Sequence, residues 1–177
     1  MATNLEQLQV DVALALTKVE YDWQDTKTNL RLVDEIRNSI DTLNFDENVV
    51  PSATHIAEVA VACGEYLQIR DFLMGIRTEK HPAQVALYLN LLKEVVDDEH
   101  AVPFATVLSS YLYQFDMFEE ARKELDIALT TTPDYSLAVL LKRVYDAQWP
   151  SFMMEQMASD LHQQVLAVIS TEVKETE

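Results

Sequence analysis

Glycine is nearly missing from this 177-residue chain, with Gly64 and Gly75 the only two. Average usage of about 7% would supply roughly a dozen. Dinucleotide folds, phosphate loops and nucleophile elbows need glycine where backbone turns sharply or approaches a phosphate. Two isolated glycines cannot build any of them. Asn-Gly and Asp-Gly pairs are also absent, which removes the favoured two-residue hairpin turns. Cysteine occurs once, at Cys63. An internal disulfide framework is therefore excluded, and a reducing compartment is expected. Basic residues are scarce too, 13 against 30 acidic ones, for a net charge of −17. Such a surface repels nucleic-acid phosphates and anionic lipids, so no direct nucleic-acid binding is expected. No apolar run approaches the 18 or so residues of a spanning helix. The start, Met1-Ala-Thr-Asn-Leu5, lacks both a basic region and an apolar one. The expectation is a cytoplasmic protein with no membrane contact.

What is present is a globular composition, 49% hydrophobic, patterned almost throughout at helical spacing. Leu5, Leu8, Val12, Ala15, Val19 and Trp23 predict a helix over residues 4–24, with Thr3 and Glu6 at capping-box spacing. Asp25 to Thr28 offers a turn or a new N-cap. Leu30, Val33, Ile36, Ile40 and Leu43 then predict a second helix. These narrow stripes suit a helical hairpin spanning residues 1–48, docked on the rest of the chain or on a second copy through residues 4–43. Residues 44–51 read as a linker. From there Pro51, Pro82, Pro103, Pro133 and Pro150 are expected at helix boundaries, since a helix interior rejects proline. They divide a domain at 49–170 into helices over 52–62, 65–76, 82–96, 103–114, 117–131, 133–147 and 151–169. Asp116 and Glu119 have capping-box spacing for the helix from 117, and 171–177 forms a charged tail. No strand-like alternation survives between the breakers. The fold class is all-α, an antiparallel helix-hairpin array of about eight or nine helices.

The most informative stretch is 104–150. Leu108, Ser109 and Leu112 lie on one predicted helix, Ala121, Leu125 and Ala128 on the next, and Pro133 closes the unit. Small residues that let two helices approach, with bulky ones filling the seam, are the pattern of a tetratricopeptide-type pair.

Further residues carry a family resemblance. Gln68-Ile69-Arg70-Asp71-Phe72-Leu73 places an Arg-Asp pair inside an apolar helix. Ala121-Arg122 is followed by Ala128-Leu129 and Pro133-Asp134, then by Leu137-Ala138 and Leu140-Leu141; Trp149-Pro150 marks another helix start. In these the chain resembles the C-terminal helical portion of an uncharacterised family of actinobacteria and their phages. The resemblance runs from about residue 60 over roughly 100 residues, and it leaves 1–50 as a helical replacement for the mixed α/β region that family members carry upstream. It implies a fold and a biological setting, and it supplies no mechanism.

The candidate sites are few. Arg70 and Asp71 are neighbours on one helix, so each is expected to meet another group, as a structural ion pair or a partner contact. His55, His81, His100 and His162 are scattered. His55 with Glu58, and Asp97 with His100, share a helix face. A di-iron bundle needs two Glu-x-x-His motifs and a zinc site needs clustered Cys and His, so no metal or cofactor is expected. Asp97-Asp98-Glu99 reads as a solvated loop after an apolar helix. Met154, Met157, Leu161, Val165 and Val168 make one apolar stripe on the last helix, with Phe152 and Met153 beside it. This methionine-rich start is a candidate contact face for varied partners. No catalytic constellation is legible, so the expectation is a non-catalytic protein-binding module for a basic or amphipathic partner. Its alternative is an acidic, phage-encoded inhibitor that mimics DNA charge and blocks a nucleic-acid-binding host protein.

Overall fold

The computed structural model describes residues 4–171, and within them the fold is an all-α helix array without strands. The order is α1 (Leu5–Leu16), α2 (Thr26–Thr42), α3 (Ala53–Glu65), α4 (Leu67–Gly75), α5 (Pro82–Val95), α6 (Asp98–Gln114), α7 (Phe118–Thr131), α8 (Ser136–Asp146) and α9 (Ser151–Thr171). A 3-10 turn, Ile76–Thr78, follows α4 directly. The Thr3 cap and the tail from residue 172 lie outside the described residues. Residues 44–49 close a short loop through paired backbone hydrogen bonds between Asn44 and Val49, both 2.8 Å.

Several boundaries differ from expectation, each for a local reason. The first helix stops at Leu16; its cap is Asn4, whose side chain accepts from Gln7 N–H. Asp25 opens α2 by accepting from the N–H groups of Lys27 and Thr28. Asp97 likewise accepts from His100 N–H at 3.0 Å, placing Asp98 and Glu99 in the first turn of α6. The expected solvated loop is therefore a helix start, where acidic residues favour the dipole. Pro103 consequently sits inside α6 rather than opening a helix there. The N–H it lacks would have bonded the carbonyl of Glu99, an exposed residue of the first turn that water can reach. The other four prolines do flank helices. Asp116 does not cap α7, whose N-terminus shows no side-chain cap; it terminates α6 instead, at φ 61°.

α6 organises the packing. Every residue from Ala101 to Tyr111 is buried, so this helix is covered all round. Phe104, Val107, Leu108 and Tyr111 face a large core built with α1–α5 and α9. Val102, Ala105 and Tyr113 face a smaller core with α7, α8 and Met154 of α9. α1 packs chiefly on α3, whereas α2 reaches α4, α5 and α9. The two stripes thus enter the body of the molecule separately, in place of the mutual seam of a hairpin.

The second tie is between α4 and α9. Gly75 is buried, and a Cβ added there would lie 2.3 Å from His162 Cβ. The His162 ring stacks on Phe72, centroids 5.1 Å apart, and its Nε2 lies 2.7 Å from Glu79 Oε1. Glu79 also accepts a bidentate pair from Arg37 Nε and Nη2 at 2.6 and 2.9 Å. Arg37 is on α2, so one carboxylate binds α2 and α9 to the turn after α4. These hydrogen bonds, Arg37 first, hold the Glu79 carboxyl down to about 2.

Three substitutions test this geometry. Gly75→Ala should cost about 1–3 kcal/mol in urea unfolding, because neither the α4 backbone nor the His162 Cβ can yield freely. Gly64→Ala meets nothing within 4 Å and should be neutral or stabilising by up to about 1 kcal/mol. The folded pKa of Glu79 lies below the ordinary 4.5, so its contribution is present above that pH and fades as pH falls toward 2. Glu79→Gln should therefore lower stability by about 1–2 kcal/mol at pH 7, discounted for the partial exposure of the side chain. The gap from the wild type should narrow at pH 3.

Candidate binding groove

The groove lies among α4, α8 and α9, with a volume of about 730 Å³. It joins two sequence candidates that lay more than 80 positions apart, the Arg70–Asp71 pair and the Phe152–Met157 cluster. Arg70 and Asp71 form one end. Contrary to expectation they bind each other, Arg70 Nε and Nη2 donating to Asp71 Oδ1 at 2.9 and 2.6 Å. Adjacent Cβ atoms diverge on a helix, yet the long arginine arm folds back across its neighbour. Arg70 Nη1 also reaches the Tyr135 hydroxyl at 3.5 Å. The pair thereby ties α4 to the residue that opens α8, and Arg70 itself is 7% exposed.

The walls are apolar and open. Leu140 of α8 is 49% exposed, and Phe152 and Met153 of α9 are 66% and 41% exposed. Met157, Leu137 and Leu161 are half-buried beneath them, above Met74. Met154 belongs elsewhere: it is fully buried in the smaller core. The buried face of α9 is Met154, Ala158, His162, Val165 and Ile169, while Val168 is 38% exposed. The expected stripe is corrected by this slight rotation, which places a histidine on the apolar face.

Trp149 sits at the α8–α9 corner, 38% exposed, and lines the groove. α8 ends in a reciprocal pair of hydrogen bonds, Gln148 N–H to Tyr145 C=O and Trp149 N–H to Val144 C=O. That motif puts Gln148 in the left-handed region at φ 53°. The Tyr113 hydroxyl then donates to Trp149 C=O at 2.6 Å, and Tyr113 stacks on Tyr145 with centroids 4.2 Å apart.

The helix-pair signature supports this corner from below. Ser109, Ala121, Leu125 and Ala128 are buried at the α6–α7 seam, with Leu108 facing the larger core and Leu112 packed against both. Ser109 Oγ donates to Ala121 C=O at 2.6 Å and lies 3.0 Å from the Tyr145 hydroxyl, tying α6, α7 and α8 through one small side chain. Pro133 is exposed in the turn before α8. His100 and Asp97 do share a face, 2.8 Å apart. His55 does not pair with Glu58, which is bound to Arg31 instead. Cys63 is buried, and burial pushes its thiol up to about 12. Among the described residues no three His, Cys, Asp or Glu side chains gather as a metal site, and no helix is long and apolar enough to cross a membrane.

Fold and groove together define an all-α helix array that presents one open apolar cleft. Residues 1–151 match the family described as Domain of unknown function (DUF4192), and the chain belongs to that family. The match takes in α1 and α2, so these helices lie within the family's span and are not a replacement for part of it. No curated protein and no solved structure matches the chain.

Because a side chain at φ 53° is strained relative to glycine, Gln148→Gly should raise stability by about 0.5–1 kcal/mol. Thermal unfolding of the two proteins in parallel checks this.

Proposed function

We propose that this chain is a protein-binding module whose α4–α8–α9 groove takes a basic, amphipathic helix from a partner. The observation that carries the reading is the convergence of Leu140, Trp149, Phe152 and Met153, each 38–66% exposed, on one cleft. Isolated exposed apolar residues are ordinary, but four around one groove mark a contact surface. Tryptophan and methionine suit such a surface, the first as a rigid anchor and the second as an adaptable wall. The groove follows α9 from Phe152 to Gln164. At about 1.5 Å per residue that is roughly 18 Å, room for about three helical turns. Asp71 and Asp160 also line it, and the whole chain carries −17, so the complementary segment is basic beside its apolar stripe. In this reading the α6–α7 unit is a tetratricopeptide-like pair that serves as scaffold.

The net charge also favours a second reading, an acidic inhibitor that occupies the basic groove of a nucleic-acid-binding protein, of host origin or phage-borne. A homodimer through residues 4–43 would use Leu5, Val10 and Leu14, the exposed large hydrophobic residues of α1.

A synthetic helix of about 12 residues, with leucines at i, i+3, i+4 and i+7 and lysines opposite, separates these readings through Trp149 fluorescence in a Trp23→Phe background. Binding should persist at about 0.5 M salt, where charge contacts beyond a few Å are screened. Phe152→Ala combined with Met153→Ala should weaken it at least about tenfold, a loss of some 1.4 kcal/mol, with little change in stability because both residues are exposed. Binding that vanishes with salt and survives the double substitution would favour the charge mimic.

A further inference from the structure

A second cleft, between α2 and the first turn of α3, shares no lining residue with the binding groove and has a volume of about 740 Å³. His55 lies at its base, 9% exposed. Ser39 Oγ is 3.3 Å from His55 Nε2, and the Tyr88 hydroxyl is 3.0 Å from the same nitrogen. On the other side of the ring, Glu35 Oε2 is 3.6 Å from Nδ1.

These neighbours select one tautomer. A carboxylate can only accept, so the proton belongs on Nδ1, facing Glu35. Nε2 is then left as the acceptor toward two hydroxyls. Burial acts alongside, holding the imidazole below its ordinary pKa, so the ring is a neutral base at neutral pH. The Ser39 hydroxyl does not bond back to its own helix; among the described hydrogen bonds it goes to His55. Glu35 is in turn steadied by Arg31, whose Nη1 donates to it at 2.8 Å.

Nucleophile, base and orienting carboxylate thus stand in the order that acyl transfer requires. Glu35 and Ser39 come from successive turns of α2, and His55 from the first turn of α3. The same turn is the N-terminus of α3, where Thr54 lines the cleft and the His55 N–H is taken by the Ser52 cap. The remaining N–H groups of a first turn have no intrahelical acceptor, and such donors suit the oxygen that becomes negative in the reaction.

We propose that Ser39, His55 and Glu35 form an acyl-transfer site, with Ser39 as nucleophile, for short esters that are neutral or cationic. The substrate class follows from the lining: Asp34, Glu35 and Glu58 against the single guanidinium of Arg31 disfavour an anionic acid. Ser39 Oγ bonds to the ester carbonyl carbon as its proton passes to Nε2, and the carbonyl electron pair moves to oxygen. Collapse restores the carbonyl and breaks the ester C–O bond, and the departing alkoxide takes the proton from Nε2. Water repeats the two steps, releasing the acid and regenerating Ser39. The Tyr88 hydroxyl, donor and acceptor alike, turns to accept from the transient imidazolium. Glu35 is a positioning residue.

The test uses the full chain with two probes, p-nitrophenyl acetate and an alkyl fluorophosphonate, and maps adducts by peptide mass spectrometry. The expected result is nitrophenolate release with an acyl or phosphonyl adduct on Ser39. Ser39→Ala should remove the adduct without shifting the thermal midpoint, the residue being half-buried on a helix surface. Glu35→Gln should slow adduct formation at least about tenfold at an unchanged midpoint. Absence of an adduct, an adduct on His55 or another hydroxyl alone, or equal rates in Ser39→Ala would overturn the assignment. The adduct map of the unaltered chain decides the matter even where a variant does not fold. Failure here leaves the peptide-binding experiment on the other groove unaffected.

Discussion

The arrangement depends on the close approach of α9 to α4 over Gly75. α9 is the last helix of the array, and its seat decides whether any groove exists beside α8. A side chain at position 75 would collide with His162 at 2.3 Å, and a well-packed interior has little slack to absorb such an overlap. With glycine there, His162 can lie flat on Phe72 while its Nε2 reaches Glu79. Glu79 then draws Arg37 across from α2, and the Arg37 guanidinium lies 5.3 Å from the Phe72 ring centroid. One backbone contact thereby locates three helices, and the polar triad is satisfied at Glu79 on both sides. Its one loose end is His162 Nδ1, buried and without a hydrogen-bond partner among the described residues. An Nε2–H donated to the carboxylate leaves Nδ1 only a lone pair, and an unmatched acceptor is the less costly loose end.

The scarcity of glycine has a second consequence, at helix ends. α6 and α8 both terminate in the 6→1 and 5→2 hydrogen-bond pattern that places one residue at positive φ, and Asp116 and Gln148 fill that role. Each is worth less there than glycine would be, by up to about 1 kcal/mol. Each follows a helix end that carries a buried tyrosine, Tyr113 on α6 and Tyr145 on α8, and both turn the chain tightly into the next helix. Tyr113 and Tyr145 stack behind these two turns. The aromatic contact and the capped backbone bonds therefore hold conformations that the local residues disfavour.

Much of the fold was legible because helical periodicity and punctuation agree along the chain. Proline positions placed most boundaries, and the small residues at 109, 121 and 128 marked a real seam. The misses have physical causes. Asp97 looked like the wrong charge at a helix end until its side chain proved to be a cap, which lengthened α6 past Pro103. Arg70 and Asp71 were separated by a rule about Cβ directions that a long guanidinium arm circumvents. The groove itself could not be read, since Asp71 and Phe152 are brought together only by the seating of α9. The Ser39–His55 pair was hidden in the same way: 16 positions and a loop separate the residues, and helix-face reasoning paired His55 with Glu58, which Arg31 occupies.

In the proposed binding module, charge and apolar surface would play different parts in recognition. Arg31, Arg37, Arg70, Arg77, Lys80, Lys93, Arg122 and Lys142 all pair with carboxylates of the chain itself. Little positive charge is left to meet a partner, while the whole chain carries an acidic excess of 17. Exposed charges of one sign act over about a Debye length, roughly 8–10 Å at physiological salt, so under the proposed function they would gather basic partners and orient them before contact. They add little once contact is made, because an exposed ion pair is worth about 0–1 kcal/mol. Residence would come from surface that loses water on binding, and in the groove that surface is supplied by Leu140, Trp149, Phe152 and Met153. Burying about 200 Å² of apolar area would already be worth about 5 kcal/mol before the costs of association. In the proposed module an acidic field would set the rate of arrival and a small apolar cleft the rate of departure, and together they would suffice for selective, reversible binding. Neither would be sufficient alone.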